Sequence, residues 1–311
     1  MGLFQVNYDK PGKGVDENAP QKRSFFRFWE VFGRKSGRLL KVNLIYSLAL
    51  IPTFLLVVVL AGLVTSPILS MDSVRAFIRS IAEQNAVAMK TTAVDLEVQI
   101  CVGLDVIGRL ILAYLFTVLW GMGPVTAGAT FIWRNFARED HAWIWSDFKD
   151  TVKENFKQAL VVFLVDVVVF VLVCLAIRVY SSLTGWVSML QYVIWMFAFL
   201  YTLMHFYLYP MMITFRLSLK DLYRNALIFA IGKLPSNLFV LLILLVLHLW
   251  PLYLIIQYSG GYFLLFLAFM WLLETVILLS FSGFLVNFHV YPKMKKYMLA
   301  NTEKSVKRDG E

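Results

Sequence analysis

Four charged residues lie inside strongly apolar stretches, and they are the best candidates for chemistry: Asp105, Arg109, Asp166 and Glu274. A charge inside the hydrocarbon of a membrane is costly, so it usually faces a partner or a watery cavity. Asp105 and Arg109 are four residues apart, which places them on one face of a helix. A cluster of Arg109 with Asp166 or Glu274 would make a polar site between helices. Such a site would be either an interhelical ion pair that fixes packing or a binding site for a solute or an ion.

The rest of the sequence contains no motif that indicates catalysis. Walker loops, nucleotide fingerprints, zinc-type His-Glu patterns and nucleophile elbows are all missing from it. His205 and His248 lie in separate apolar stretches without metal-ligand spacing, which favours core or lipid-interface histidines. Cys101 and Cys174 are too few for a disulfide framework, although a single bond between them is left open. We therefore predict a protein that is not an enzyme and has no catalytic residues, metal or cofactor.

The composition indicates that these residues are positioned by a membrane protein. Of the 311 residues 59% are hydrophobic, and the mean hydropathy is +0.70, outside the range of soluble domains. Six apolar stretches are long enough to cross a bilayer. They cover residues 42–64, 102–120, 159–177, 190–209, 238–256 and 262–288. The sequence thus predicts an all-α, polytopic membrane protein with six transmembrane helices in three hairpins.

The basic residues predict the orientation of these spans. The net charge of +9 comes from Lys and Arg beside apolar spans, which is typical of membrane orientation and does not require a nucleic-acid partner. Most of the Lys and Arg residues lie on the side of the N-terminus. The exceptions are Arg75, Arg79, Lys90, Arg109 and Arg178. This bias predicts that both termini are cytoplasmic.

Residues 120–160, here called the elbow, join the second and third spans. Pro124, directly after Gly123, lacks a backbone donor and predicts a kink or a break in the helix. Small residues at 127–129 would let another helix approach closely. The charged residues that follow are predicted to lie in water: Arg134, Arg138, Glu139 and Asp140.

An amphipathic pattern follows these charges. Ile144, Phe148, Val152 and Phe156 recur every four residues, with charged residues between them, which predicts a helix lying on the membrane surface. We call it an arm. Two similar arms begin near residues 25 and 219, the latter after a Ser218–Asp221 pair with capping-box spacing.

The arms and the prolines that end the returning spans suggest a weak internal repeat in three copies. The alternative is that Asn and Pro recur because helix ends need them. The predicted domain limits are a disordered cytoplasmic tail at 1–23, a six-span domain at 24–292 and a basic cytoplasmic tail at 293–311. The six-span domain includes an outer helical insertion at 66–100.

The elbow resembles a known family. The runs GPVTAG at 123–128, WSDF at 145–148 and KENFKQ at 153–158 are similar to the signature region of the YesL-like family, a DUF624-type group of bacterial membrane proteins. The opening runs FFRF at 25–28 and KVNL at 41–44 are similar to the start of that family. The elbow residues singled out are Gly123, Pro124, Trp145, Asp147, Phe148 and Asn155. The resemblance implies a bacterial plasma-membrane protein that is often encoded beside carbohydrate importers of the ATP-binding-cassette type, and it supplies no catalytic residues.

Two functions are therefore predicted as alternatives. The first is a non-enzymatic accessory or scaffold protein whose arms and elbow contact an importer permease, its ATPase or anionic lipid. The second is a small-solute or ion transporter or channel that uses Asp105, Arg109, Asp166 and Glu274. A continuous polar passage would favour transport, and a closed bundle with an exposed apolar groove would favour the accessory role. The sequence leaves the substrate and the number of assembled copies open.

Overall fold

Helices make up almost all of the described chain. The computed structural model describes residues 23–258 and 263–299, and within these ranges it contains no strand. The helices are α1 (Ser24–Leu69), α2 (Asp72–Asn85), α3 (Ala93–Leu119), α4 (Gly123–Ala137), α5 (Ile144–Ser182), α6 (Leu190–Met212), α7 (Leu219–Gly232), α8 (Leu234–Tyr258), α9 (Phe263–Leu273) and α10 (Leu279–Met294). A 3₁₀ turn at Gly185–Met189 precedes α6, and π-helical turns at Glu274–Leu278 and Lys295–Leu299 flank α10.

Five helical segments are long and apolar enough to cross a membrane. They are Ser24–Leu69, Ala93–Leu119, Ile144–Ser182, Gly185–Met212 and Ala268–Met298. A sixth is possible if α7 and the segment Leu234–Trp250, which meet at 91°, form one broken span. The all-helical fold with several apolar helices is thus confirmed. The predicted tails at 1–22 and 300–311 lie outside the described residues, and the described helix continues past residue 292 to Leu299.

The first two arms are not separate surface helices, and here the prediction is wrong. Arm and span form one continuous helix in α1, which has 46 residues, and in α5, which has 39. At 1.5 Å per residue these helices measure about 69 Å and about 58 Å, roughly twice the thickness of a hydrocarbon core. The reason in α5 is that no Gly or Pro interrupts it. The arms therefore extend the axes of their spans.

The third arm, α7, does turn away from the helix that follows. Its N-terminus has the predicted cap, because the Ser218 hydroxyl accepts a hydrogen bond from the Asp221 amide at 3.2 Å. Lys233 ends α7 and the chain bends by 91° into α8. The three arms therefore differ in their connections, and the internal repeat stays a prediction.

Helix α4, the short helix of the elbow, lies at the centre of the packing. The predicted break before it is confirmed, since α3 ends at Leu119 and Gly121 adopts a φ of +76°. All residues of α4 except Val125 and Phe131 are buried, and its neighbours are α1, α5, α6 and α10. At Gly128 a Cβ atom would lie 2.7 Å from Val152 Cγ2, so the close approach of another helix is also confirmed.

The predicted outer insertion is helical but packs more sparsely. Helix α2 lies against the start of α3, with a small apolar cluster of Ala82, Ala86 and Leu96 between them. The hydroxyl of Thr92 caps α3 by accepting from the Asp95 amide at 3.1 Å.

Candidate functional site

The first polar site is the predicted pair of Asp105 and Arg109 on α3. The guanidinium lies 2.6 Å from the carboxylate, and the two side chains are 30% and 21% exposed for Arg109 and Asp105, respectively. Thr65 and Ser66 of α1 both donate to Asp105, at 2.5 and 3.1 Å, and Arg109 donates to Ser66 at 2.8 Å. This site, the Asp105–Arg109 pair, therefore links α3 to the end of α1.

The second polar site contains Asp166 of α5, whose side chain is completely buried. The Tyr201 hydroxyl donates to Asp166 Oδ1 at 2.6 Å, and His205 Nε2 lies 2.9 Å from the same oxygen. The imidazole of His205 is stacked on Trp120, with ring centres 5.6 Å apart. Asp166 and His205 therefore form a buried carboxylate–imidazole pair between α5 and α6.

The third polar site contains Glu274, where the π-helical turn begins. His248 Nδ1 lies 2.7 Å from Glu274 Oε1, and the Tyr114 hydroxyl donates to the same oxygen. The other imidazole nitrogen of His248, Nε2, lies 2.8 Å from the Ser282 hydroxyl. This is a second buried carboxylate–imidazole pair, and it joins α3, α8 and α10.

Asn43 of α1 holds the π-helical turn in place. Its amide donates to the backbone carbonyls of Glu274 and Thr275, each at 2.6 Å, and its side-chain oxygen accepts from the Ser280 amide. A π-helical turn displaces backbone groups from the regular helical ladder, and such turns are frequent at functional sites. The fully buried Asn43 satisfies these displaced groups.

The predicted cluster of Arg109 with Asp166 or Glu274 is wrong. Among the described residues, the ionic and hydrogen-bond partners of Arg109 are on α1 and α3, whereas Asp166 and Glu274 each pair with a histidine. His205 and His248 were predicted to be isolated core or lipid-interface residues. The relative rotation of packed helices decides which side chains meet, and the sequence of a single chain does not contain it.

A cavity of about 80 Å³ is lined by one residue from each of these two buried sites, His205 and Ser282. Trp120 and Trp133 are among its aromatic lining residues. His205 Nδ1 is buried and has no hydrogen-bond partner among the described residues. A volume of this size holds several water molecules, and the polar groups within the mostly apolar lining, such as those of His205 and Ser282, can bind them.

The elbow residues have structural roles that the geometry makes clear. A Cβ atom on Gly123 would lie 2.7 Å from the Ala159 carbonyl oxygen, and Pro124 is buried in the first turn of α4. Asp147 accepts a hydrogen bond from the Trp143 amide at 2.8 Å, which closes the start of α5. The Asn155 amide donates to the Thr151 carbonyl within α5 at 3.0 Å.

The outward face of the first turns of α5 forms an apolar groove with basic edges. Its lining residues are Trp145, Phe148, Lys149, Val152, Lys153 and Phe156. Phe148 is buried at its base, whereas Trp145 and Phe156 are 65% and 48% exposed. We call this surface the elbow groove.

Arg134 is buried, and the prediction that it lies in water is wrong. It is only 6% exposed, and it donates to the Ile213 carbonyl at 3.0 Å and to the Thr214 hydroxyl at 2.9 Å. Burial lowers its pKa to about 10, so the guanidinium stays charged at neutral pH. Arg134 therefore anchors α4 to the end of α6, a contact that sequence reasoning missed.

Glu139 connects the tip of the elbow to α1. Its carboxylate accepts from Arg27 at 2.9 Å and from Arg34. Partial burial would raise the pKa of Glu139, but the two arginines outweigh this effect and hold it below its ordinary value. The φ of Glu139 is +67°, a left-handed conformation that turns the chain sharply after α4.

Neither cysteine is paired, and the described residues contain no group of His, Cys, Asp and Glu that could hold a metal ion. Residues 109–177 match a protein family described as "Protein of unknown function, DUF624", which confirms the DUF624-type resemblance. The match spans the second half of α3, the whole elbow and most of α5. No curated protein and no solved structure matches the chain.

Proposed function

We propose that this chain, whose residues 109–177 are of DUF624 type, is a non-enzymatic accessory or scaffold protein of a bacterial plasma membrane. The proposal includes six spans in three hairpins, the fifth being the broken α7–α8 segment, and both termini in the cytoplasm. Support for this layout comes from the apolar helices and from the basic residues concentrated on one side.

The observation that carries the proposal is the elbow groove. Trp145 and Phe156 expose large apolar surfaces at the end of α5 that is rich in charged residues. A span needs apolar surface toward lipid, but this part of α5 also carries Lys149 and Lys153, which do not belong in hydrocarbon. An exposed apolar groove with a polar rim is typical of a protein-binding surface.

The chemistry of the groove indicates the kind of partner. Two lysines at its edge favour an acidic segment, and its aromatic residues favour an apolar helix face. An importer permease or its ATPase subunit is proposed as that partner from the family resemblance alone. The alternative source of negative charge is anionic lipid.

The test is a co-purification from native membranes in mild detergent. We compare the unchanged protein with a Trp145→Ala/Phe156→Ala double variant, which removes the exposed aromatic surface without touching buried Phe148. Trp186→Ala is the matched control, because Trp186 is 75% exposed but lies beyond the opposite end of α5.

We expect importer subunits to co-purify with the unchanged protein and with the control, and to be lost by at least about tenfold from the double variant. Recovery of the protein alone from all three membranes would overturn the stable-complex form of the proposal. Retention of the partner by the double variant would place the contact elsewhere and would overturn the role of the groove.

The transport alternative loses its original basis in this arrangement. Its four charged residues fall into three sites, each with local partners among the described residues. A pathway through one joint cluster is therefore not the function that the geometry supports best.

A further inference from the structure

One residue from each of the two buried polar sites, His205 and Ser282, lines the same cavity. We propose that Asp166 and His205 form one end of an intramembrane proton relay, that Glu274 and His248 form the other end, and that Ser282 and water in the cavity connect them. This inference does not depend on the proposed accessory role, since it concerns the interior of the bundle.

The distances form two short series of hydrogen bonds, and each series includes a residue that lines the cavity. In the first, Asp166 Oδ1 lies 2.9 Å from Nε2 of His205, a lining residue. In the second, the hydroxyl of the lining residue Ser282 lies 2.8 Å from His248 Nε2, and His248 Nδ1 lies 2.7 Å from Glu274 Oε1. Each imidazole thus uses one nitrogen for its carboxylate. The other nitrogen of His248 bonds to Ser282, and the other nitrogen of His205 has no partner among the described residues.

The cavity that both halves reach has a mostly apolar lining, but it contains polar groups and is large enough for water. His205 Nδ1 and Asn287 Oδ1 are buried atoms that lack partners among the described residues, and both residues line the cavity. A buried polar atom without a partner is costly, whereas a water molecule in the cavity would satisfy both. The 80 Å³ between His205 and Ser282 therefore suits a short chain of water molecules.

The proton movement balances at every step. When the pair at Asp166 holds the extra proton, His205 is an imidazolium and His248 is neutral, with its hydrogen on Nδ1. The His205 Nδ1–H bond breaks as a cavity water gains that proton, and the water passes a different proton to Ser282. The Ser282 hydroxyl proton passes in turn to His248 Nε2, so the charge moves to the pair at Glu274. The number of protons in the whole unit does not change.

Neighbouring groups set the preference of the proton for either end. The Tyr201 hydroxyl of α6 donates to Asp166, and Tyr209 of α6 and Tyr46 of α1 also line the cavity. The Tyr114 hydroxyl of α3 donates to Glu274. The described contacts of both pairs are with uncharged groups, so each carboxylate has an imidazole as its only described ionic partner.

A purely structural role would not require this arrangement. A carboxylate–histidine pair that only fixes helix packing needs one nitrogen of the imidazole, and the other can point into an apolar wall. Here the second nitrogen of His248 bonds to Ser282, which lines the cavity, and His205 lines the same cavity. Ionisable residues inside membranes commonly form such relays, because no other charged groups are available there to exchange protons.

The test measures deuterium exchange at the imidazole nitrogens of the full-length protein in lipid nanodiscs. The chain has four histidines, so ring ¹⁵N signals can be assigned with one His→Gln variant each. If the relay exists, deuterium that reaches one pair passes to the other, and the ring N–H groups of His205 and His248 exchange at the same rate. We compare this with Ser282→Ala, which removes the connecting hydroxyl without changing any charge.

Ser280→Ala is the matched control. Ser280 is also buried on α10, but its hydroxyl accepts from Trp133 and is outside the relay. We expect Ser282→Ala to separate the two exchange rates by about tenfold, since one hydrogen-bonded step is lost. The rates should stay matched in Ser280→Ala and in Ser282→Thr, which keeps a hydroxyl.

Three results would overturn the relay. The first is a pair of rates that already differ in the unchanged protein, the second is rates that stay matched in Ser282→Ala, and the third is rates that separate equally in Ser280→Ala. Thermal unfolding of every variant identifies any loss of folding, and Ser282→Thr keeps the test valid if Ser282→Ala unfolds.

Discussion

The elbow and the predicted outer segment, defined here as α2 together with residues 93–109 of α3, use the same residue types with opposite results. In the elbow, Arg134 is buried and bonded to the backbone of a distant helix, and the glycines are sites of close contact. In the outer segment, Arg109 is 30% exposed and pairs within its own helix, and Gly103 has open space around it. The difference shows that a charge or a glycine acquires its role from packing density and not from its type.

Glycine substitution is the strongest way to test this contrast. A Cβ atom on Gly283 of α10 would lie 2.2 Å from Trp133 Cε3, in a ring of α4 that is only 4% exposed. We expect Gly283→Ala to destabilise the protein by about 3 kcal/mol, as is typical of overpacking. Gly103→Ala should stabilise it by about 0.5 kcal/mol, because nothing lies within 4 Å and Ala favours a helix. Thermal unfolding in detergent, followed by circular dichroism, measures both. Equal effects of the two substitutions would contradict the contrast.

The two arginines give the next largest difference. Arg134→Met leaves the Ile213 carbonyl and the Asn135 side-chain oxygen without their charged donor, so we expect a loss of about 3 kcal/mol. Arg109→Met should cost about 1 kcal/mol or less, because Asp105 keeps its bonds from Thr65 and Ser66 and the pair is partly exposed. Thermal unfolding of both variants under the same conditions measures the two losses of stability. A cost for Arg109→Met that matched or exceeded the cost for Arg134→Met would reverse the ranking.

Local signals in the sequence predicted the parts of the elbow and of α7 that depend on neighbours in the chain. The break before Pro124, the small residues around Gly128 and the cap at Ser218 each follow from side chains within a few positions. The contacts of Arg134 do not, because its partner Ile213 is 79 residues away. Charged residues that follow an apolar helix therefore predict side chains exposed to water. The prediction fails where the folded chain buries such a side chain against a backbone carbonyl that accepts its hydrogen bond.

The candidate site was predictable to a similar extent. Its carboxylates were found because a charge in an apolar stretch is conspicuous, and the Asp105–Arg109 pair followed from helical spacing. The pairing of Asp166 with His205 and of Glu274 with His248 depends on how α5, α6, α8 and α10 rotate against one another. The continuity of α1 and α5 was missed because an amphipathic pattern that changes into an apolar one fits both a bent and a straight helix.

Acid pH gives a smaller effect that should distinguish the two regions again. The pKa of Glu139 in the folded protein is below its ordinary value of 4.5, so its bonds with Arg27 and Arg34 stabilise the fold above that pH. This contribution is lost as the pH falls through the lowered pKa. Because the carboxylate is about one-third exposed, we expect these bonds to contribute about 1 kcal/mol or less to the free energy of unfolding.

Glu139→Gln should therefore lower the Tm at pH 7 and weaken its decrease on acidification. Glu83→Gln is the control in the outer segment, since Glu83 forms an exposed pair with Arg79. Melting curves between about pH 3 and pH 7 measure both variants. An acid dependence unchanged by Glu139→Gln would show that other carboxylates cause it.

The smallest effect is expected for Arg79→Ala on α2. Arg79 and Glu83 form a pair one helical turn apart, but their side chains are 65% and 59% exposed, and such pairs contribute about 0.3 kcal/mol. What holds α2 is its contact with α3 through Ala82, which is completely buried. Ala82→Glu should therefore expose the amides of α2 to rapid hydrogen exchange, while Arg79→Ala leaves their protection nearly unchanged. If Arg79→Ala instead removed that protection as fully as Ala82→Glu, surface charge and not apolar contact would hold the outer segment, and the contrast with the elbow would fail.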